Sequence, residues 1–105
     1  MSTYQIRSGD TITMDPSTLT NRAGATIDLT SATAQFIADD WTGTNVFTHS
    51  AVIANNTNPA QLKYTFVAGD TARKTTLRAR WVVTFSGGAI ETFPTAPDDL
   101  LLVVL

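Results

Sequence analysis

The sequence predicts a single all-β domain that spans residues 1–105. Short runs rich in Val, Ile, Thr, Phe, Tyr and Trp recur along the chain, and clusters of Gly, Pro, Asn, Asp and Ser separate them. No segment repeats apolar residues at the i, i+3, i+4, i+7 spacing of an amphipathic helix. Threonine, whose branched side chain suits a pleated strand, is the most frequent residue.

The first half of the chain contains four predicted strands, each closed by turn-forming residues. They run from Thr3 to Arg7 with a continuation from Thr11 to Met14, near Leu19 to Arg22, from Ala32 to Ala38, and from Asn45 to Ile53.

The second half begins with a predicted strand from Gln61 to Val67, followed by a hairpin from Leu77 to Phe93. Ser86-Gly87-Gly88 predicts a two-residue Gly-Gly turn, because glycine tolerates the positive φ that such a connection needs. Pro94 has no N–H to donate and is expected to end the returning strand. Strict alternation places five residues of the hairpin on one face: Leu77, Ala79, Trp81, Val83 and Phe85.

Seven to nine short strands in a chain of this length are typical of an immunoglobulin-like antiparallel β-sandwich. The chain has no cysteine, so the sandwich is expected without a disulfide. We expect Trp81, Val83 and Phe85 to anchor its core.

The last predicted strand, from Asp98 to Leu105, ends in an unbroken apolar run. Such a run predicts that both faces are covered, one by the opposite sheet and the other by a partner subunit. We therefore expect Leu100, Leu102 and Val104 to contribute to an interface between subunits.

The charge of the chain and the length of its apolar runs argue against two classes of partner. The formal net charge is −2, and the seven basic residues are scattered, so no nucleic-acid partner is expected. The six apolar residues at the end of the chain are too few to cross a bilayer, and the N-terminal residues do not resemble a signal peptide, so no membrane association is expected.

Catalytic and metal-binding residues are sparse in the sequence. His49 is the single histidine, and the neighbouring Ser50 would point to the opposite face of a strand. The acidic pairs at Asp39-Asp40 and Asp98-Asp99 lack the spacing of a calcium loop and are interpreted as solvated loop ends. We expect no enzyme activity, no cofactor and no metal site.

Trp41 is the residue most open to a functional interpretation. A partly exposed tryptophan beside acidic residues can stack on a sugar or anchor a protein interface, and the alternative is that it folds back over one end of the sandwich. Phe47 and His49 share one face of the following strand and could extend either role.

Several segments resemble a known family when they are taken in order. They are Gly9-Asp10-Thr11, Ile27-Asp28-Leu29-Thr30, the run FIADDW that ends at Trp41, the run LKYTF that ends at Phe66, and the run from Leu77 to Pro94. This arrangement resembles the small immunoglobulin-like domain at the N-terminus of phage baseplate upper proteins and related small phage and prophage tail proteins.

The resemblance implies a non-enzymatic structural protein of a bacteriophage or prophage virion, built into the tail, baseplate or head surface. Its implied partners are other virion structural proteins and further copies of itself, and its implied site of assembly is the cytoplasm of the bacterial host. Two alternatives remain open at this stage. One is a carbohydrate-binding or host-adhesion module that uses Trp41 to bind a host glycan, and the other is a hydrolase that uses His49.

Overall fold

The computed structural model describes residues 2–14, 17–19, 27–57, 60–93 and 100–105. Every regular element in these ranges is a β-strand, which confirms the all-β prediction. In the same ranges there is no helix long and apolar enough to cross a membrane. The eight strands are β1 (Ser2–Ile6), β2 (Ser17–Thr18), β3 (Thr33–Asp39), β4 (Asn45–Asn55), β5 (Gln61–Lys63), β6 (Thr76–Thr84), β7 (Ile90–Phe93) and β8 (Leu100–Val104).

The strands form one curled mixed sheet. Their order is β1-β8-β6-β3-β4-β5-β2, and β7 pairs with β6 beside this path. The pairs are antiparallel except β1 and β8, which run parallel with Ser2 opposite Leu100 and Ile6 opposite Val104. The prediction of a purely antiparallel sheet is wrong at this pair. The continuous apolar run of β8 is typical of a strand in a parallel pair, and the prediction used it only as a sign that both faces are covered.

Two short strands share one edge of β6. β7 pairs with residues 81–84 of β6, and β8 pairs with residues 76–79. β3 lies along the other edge, with Phe36 directly opposite Trp81. Pro94 and Arg22, which the sequence predicts to end strands, lie outside the described residues.

An aromatic cluster forms the centre of the core. The ring of Phe36 is 4.5 Å from that of Trp81 and 4.9 Å from that of Tyr64, measured between centroids. Phe47 and Phe66 lie 5.9 and 6.3 Å from the same ring. Removing each of these side chains from water stabilises the fold by roughly 1.5–3 kcal/mol. The cluster therefore joins β3, β4 and β6 to the segment that follows β5.

The predicted buried face of β6 is confirmed for four of its five residues. Leu77, Ala79, Trp81 and Val83 are buried. Phe85 is only partly buried and packs at the margin of the core. It follows the last residue of β6 and begins the hairpin loop, where the strand leaves the sheet.

The β6–β7 connection is a three-residue loop. The Phe85 N–H donates to the Ala89 carbonyl at 2.8 Å, and the Gly88 N–H donates to the Phe85 carbonyl at 2.8 Å. Gly88 has a φ of 89°, whereas Gly87 does not have a positive φ. The predicted two-residue turn is therefore wrong, because Ser86 also belongs to the loop and only one glycine needs the left-handed conformation.

The strand predicted from Gln61 to Val67 changes its partner midway. Its first part, β5, pairs with β4 and β2. Beyond β5, the Met14 N–H donates to the Tyr64 carbonyl at 2.9 Å, and the Phe66 N–H donates to the Ile12 carbonyl at 3.0 Å. This switch places Tyr64 and Phe66 over β3 and β4.

Candidate functional site

The β3–β4 hairpin ends in an exposed tryptophan. In the loop Trp41-Thr42-Gly43, the Asp40 N–H donates to the Thr44 carbonyl at 2.9 Å, and the Gly43 N–H donates to the Asp40 carbonyl at 3.1 Å. Gly43 has a φ of 89°, so this loop has the same geometry as the β6–β7 loop. Trp41 is 79% exposed. The interpretation that it folds back over one end of the domain is therefore wrong.

The side chain of Asp40 holds this loop in shape. Its Oδ1 accepts hydrogen bonds from the Thr42 hydroxyl at 2.6 Å, from the Thr42 N–H at 3.0 Å and from the Thr44 N–H at 3.0 Å. These bonds, the Thr42 hydroxyl above all, lower the pKa of Asp40. The carboxylate therefore remains ionised at neutral pH, as expected for a loop-capping acid.

The preceding acid, Asp39, is bound to a different strand. Arg80 Nη1 is 2.5 Å from Asp39 Oδ2, and Asn45 Nδ2 donates to Asp39 Oδ1 at 3.0 Å. Partial burial opposes ionisation, but the bonds from Asn45 and Arg80 and the charge of Arg80 outweigh it and lower the pKa of Asp39. The hairpin is thereby tied to the centre of the sheet.

A groove of about 340 Å³ lies between this hairpin and the loop that connects β5 to β6. Val46 and Leu77 supply apolar surface, Asp40 lies on the hairpin side, and Arg73 and Lys74 lie on the side of the loop. The volume is within the range of small-ligand sites. Trp41, which follows Asp40 in the chain, is not among the residues that line the groove.

A buried carboxylate holds the β5–β6 loop against β4. Asp70 has a side chain that is 3% exposed, and its Oδ2 accepts hydrogen bonds from the Tyr64 hydroxyl at 2.5 Å and from the Val67 N–H at 3.0 Å. Its Oδ1 is 3.1 Å from His49 Nε2. The three partners come from β4, from the segment after β5 and from the loop itself. This cluster thus fixes one wall of the groove.

Tyr64 is the group whose titration is most perturbed by the cluster. Burial raises the pKa of Tyr64, and the hydrogen bond to Asp70 and the negative charge of that carboxylate raise it further. The phenol therefore stays protonated and continues to donate to Asp70 at neutral and mildly alkaline pH.

The sequence contains two Gly-Asp-Thr turns, Gly9-Asp10-Thr11 and Gly69-Asp70-Thr71, and the two meet in the structure. The Gly9 N–H donates to Thr71 Oγ1 at 3.0 Å, the Ser8 hydroxyl donates to the Thr71 carbonyl at 2.8 Å, and the Thr71 hydroxyl donates to the Asp10 carbonyl at 3.3 Å. Thr71 is only 1% exposed. The turn after β1 is therefore fastened to the residue that follows Asp70.

Three of the predicted interface residues face inward. Leu100, Leu102 and Val104 are buried in the core of the chain itself. Their assignment to a subunit interface is wrong, because an unbroken apolar run does not reveal which of its alternate residues point inward. The outward residues of β8 are Leu101 and Val103, which are partly buried.

Phe47 and His49 lie on the same face of β4, as the alternation predicts, and this face turns toward the core. Phe47 is buried between aromatic neighbours, so its assignment to an interface is also wrong. His49 stacks on Phe47 and Tyr64 and keeps 42% of its side chain exposed. Ser50 lies on the other face of β4, where it pairs with Gln35 of β3. The geometry therefore does not form a serine–histidine pair.

The sequence interpretation missed four residues of the buried carboxylate cluster and the groove. They are Asp70, Tyr64, Arg73 and Lys74. The repeated Gly-Asp-Thr turn was a signal at Asp70, but it gave no indication of a histidine partner 21 residues earlier. No group of three or more His, Asp or Glu side chains in the described ranges could hold a metal ion. Asp98 and Asp99 lie outside those ranges.

Comparison of the chain with protein-family models, with curated protein sequences and with solved structures gave no match.

Proposed function

We propose that this chain is a non-enzymatic structural protein of a bacteriophage or prophage virion and that its curled sheet is an immunoglobulin-like sandwich. In this proposal the chain acts by protein–protein assembly with further copies of itself and with other virion proteins. The outer edge of β1, which has no strand partner among the described residues, carries the assembly part of the proposal.

The strand order supports the sandwich. Variable-type immunoglobulin domains place strands G, F, C and C′ side by side, with B and E in the other sheet. The neighbours β8, β6, β3 and β4 have the corresponding order along the chain, and the antiparallel pair β2–β5 corresponds to B and E. Phe36 on β3 and Trp81 on β6 then occupy the centre where antibody domains pack a tryptophan on a disulfide.

The edge of β1 supports assembly by strand addition. The Leu105 N–H donates to the Ile6 carbonyl, and the Ser8 N–H donates to the Leu105 carbonyl, so these backbone groups face β8. By alternation, the backbone N–H and carbonyl of Gln5 point to the outer edge. Among the described residues no strand pairs with that edge.

β1 also lacks the features that normally protect an edge strand. Its sequence STYQI contains no charged residue and no proline. Thr3 and Gln5, both exposed, lie opposite Leu101 and Val103 of β8 on the outer face of the sheet. Exposed Leu105 continues this strip. A second copy that adds a strand at β1 would satisfy the backbone groups that point to this edge.

Mass spectrometry of purified particles tests the virion assignment. Particles released from the encoding bacterium after prophage induction should contain this chain at a fixed ratio to the major head or tail protein. An antibody against the chain should label the same position on each particle. Particles that lack the chain while the cell extract contains it would overturn the assignment.

A carbohydrate-binding module is the second candidate, and the exposure of Trp41 favours it. The backbone of Trp41 lies in a hydrogen-bonded loop, and the high exposure of the residue leaves apolar surface on which a sugar ring could stack. A glycan array tests this function. Binding that disappears in Trp41→Ala, with the thermal transition unchanged, would support it, whereas no binding by the wild-type chain would exclude this role for Trp41.

A further inference from the structure

The outer edge of β1 presents backbone groups from alternate residues. The Ile6 carbonyl accepts from the Leu105 N–H, and the Ser8 N–H donates to the Leu105 carbonyl, so the even-numbered residues of this segment direct their backbone groups toward β8. By alternation, the N–H and carbonyl groups of Thr3 and Gln5 point away from β8. Within the described ranges no strand lies on that side. A strand that pairs there must therefore bond to these odd-numbered residues.

A second copy of β1 in the antiparallel direction matches this pattern. Residues of an antiparallel pair whose backbone groups face each other exchange both of their N–H···O bonds. When two copies of Ser2–Ile6 overlap along their full length in opposite directions, Tyr4 lies opposite Tyr4, and Thr3 lies opposite Gln5. Thr3 and Gln5 both point outward, so they can exchange both bonds. A slip by one residue would place Thr3 opposite an even-numbered residue that faces β8, and these bonds would not form.

The side chains on the outer face agree with this register. Thr3 and Gln5 are exposed and uncharged, so they can lie side by side without charge repulsion. Arg7 is the first charged side chain in the sequence, and it is also exposed. Pairing centred on Tyr4 places the two copies of Arg7 roughly 20 Å apart along the strands. A shift of the centre toward Arg7 would leave fewer residues paired and would move these two charges closer together.

The inner face of β1 adds an aromatic contact. Tyr4 is partly buried and stacks on Phe66 with 6.1 Å between the ring centroids. A directly opposed pair that exchanges no hydrogen bonds has Cα atoms about 4.5 Å apart, and Tyr4 opposite Tyr4 is such a pair. The exposed portions of the two rings therefore meet at the centre of the contact. Their contact removes apolar ring surface from water at the margin of each core.

We propose that two copies of this chain pair antiparallel along β1 with Tyr4 at the centre, so that one sheet continues into the other. The contact is two-fold symmetric and uses the outer edge of β1 on both copies, so it closes at a dimer. Addition of β1 to a different edge, such as that of β7, would leave one edge open on each copy and would continue into a filament. This inference rests on the proposed assembly through β1 and adds the direction, the register and the number of copies.

Disulfide trapping tests the register. The chain has no cysteine, so an introduced thiol reacts alone. Thr3→Cys and Gln5→Cys each change an exposed side chain and keep the backbone N–H. Mixed in equal amounts in a glutathione redox buffer, the two variants should form the mixed dimer at least about tenfold faster than either variant links to itself, since only Thr3 opposite Gln5 brings the Cα atoms within the roughly 4.4–6.8 Å that a disulfide spans. Mass spectrometry without reductant identifies each product.

Two further measurements provide the controls. Ser50→Cys places a thiol on an exposed residue of β4, away from the β1 edge. Mixed with Gln5→Cys, it should link only at the rate of random collision. Light scattering of the wild-type chain should level off at the mass of a dimer as the concentration rises.

The outcomes separate this inference from the proposed assembly. Rapid linking of Gln5→Cys or Thr3→Cys to itself would overturn the register, as would a mixed dimer that forms no faster than the one with Ser50→Cys. A wild-type mass that keeps rising with concentration would overturn the closed dimer. Each of these results leaves assembly through β1 in place if the wild-type chain still associates. A wild-type chain that stays monomeric would overturn the assembly and this inference together.

Discussion

The Tyr64 hydroxyl donates a hydrogen bond of 2.5 Å to Asp70 Oδ2, and this contact links the buried aromatic cluster to the loop that lines the groove. Asp70 accepts in addition from the Val67 N–H and contacts His49. A single carboxylate thus positions residues from three parts of the chain. The hydrogen bonds of Asp70 and of Asp39 predict how the free energy of unfolding changes with substitution and with pH.

Asp70→Asn should destabilise the fold by about 2–4 kcal/mol. The amide loses the negative charge that strengthens the hydrogen bonds from the Tyr64 hydroxyl and the Val67 N–H, and its NH2 group replaces one of the two acceptor oxygens in a buried site. Urea denaturation measures the change. The matched control is Asp10→Asn in the sister Gly-Asp-Thr turn, where the side chain is exposed and a change within about 0.5 kcal/mol is expected. Equal effects of the two substitutions would contradict the role of Asp70.

The phenol of Tyr64 should resist ionisation in the folded state. Because its folded-state pKa lies above the unfolded value of about 10, its contribution to stability is complete below about pH 10 and is lost as the pH rises through the folded-state value. Tyr4→Phe leaves Tyr64 as the single tyrosine. Tyrosinate absorbance of this variant should remain low at pH 10 in buffer and be about half-developed at pH 10 in urea. Half-titration near pH 10 in the folded chain would refute the prediction.

The stabilising contribution of Asp39 should be lost in acid. Its folded-state pKa lies below the unfolded value of about 3.9, so its contribution is present above that value and is lost as the pH falls through the folded-state value. Asp39→Asn should cost about 0.5–1 kcal/mol at pH 7, a small amount because Arg80 is partly solvent-exposed. The difference from the wild type should disappear near pH 2. Thermal denaturation at both pH values measures it, and a difference that persists in acid would argue against the ion pair.

Gly88 and Gly87 should respond differently to alanine. Gly88 has a φ of 89°, where an L-residue is strained, so Gly88→Ala should destabilise by about 1–2 kcal/mol. Gly87 lacks a positive φ, and a Cβ built on it meets nothing within 4 Å. Gly87→Ala should therefore stay within about 0.5 kcal/mol of the wild type. Equal costs at the two positions would favour the two-residue turn that the sequence suggested.

The sequence predicted the strands better than their partners. The alternation from Leu77 to Val83 identified the buried face of β6, because a strand with one covered face has a period of two. The run from Leu100 to Leu105 has no such period, so its inward residues were assigned to an interface. The parallel pairing of β1 with β8 is set by the path of the whole chain, and the sequence of β1 does not alone identify β8 as its partner.

The sequence predicted a candidate site only where a single residue and its neighbours in the chain were enough to suggest one. Trp41 was identified as a functional candidate because it lies in a loop with acidic neighbours. The groove requires the hairpin after β3 and the loop before β6 to lie side by side, although Asp40 and Arg73 are 33 residues apart in the chain. Arginine and lysine are common on protein surfaces, so Arg73 and Lys74 do not stand out in the sequence. The tertiary fold brings them to the groove that Asp40 also lines.

Light scattering coupled to size exclusion tests the central claim, assembly through the β1 edge, most directly. The wild-type chain at high concentration should form a dimer or a larger oligomer. Gln5→Pro removes the outward N–H and should yield a monomer with the fold intact, because edge strands tolerate proline. Gln5→Ala, which keeps that N–H, should assemble like the wild type. A strictly monomeric wild-type chain, or Gln5→Pro that assembles as well as Gln5→Ala, would contradict the claim.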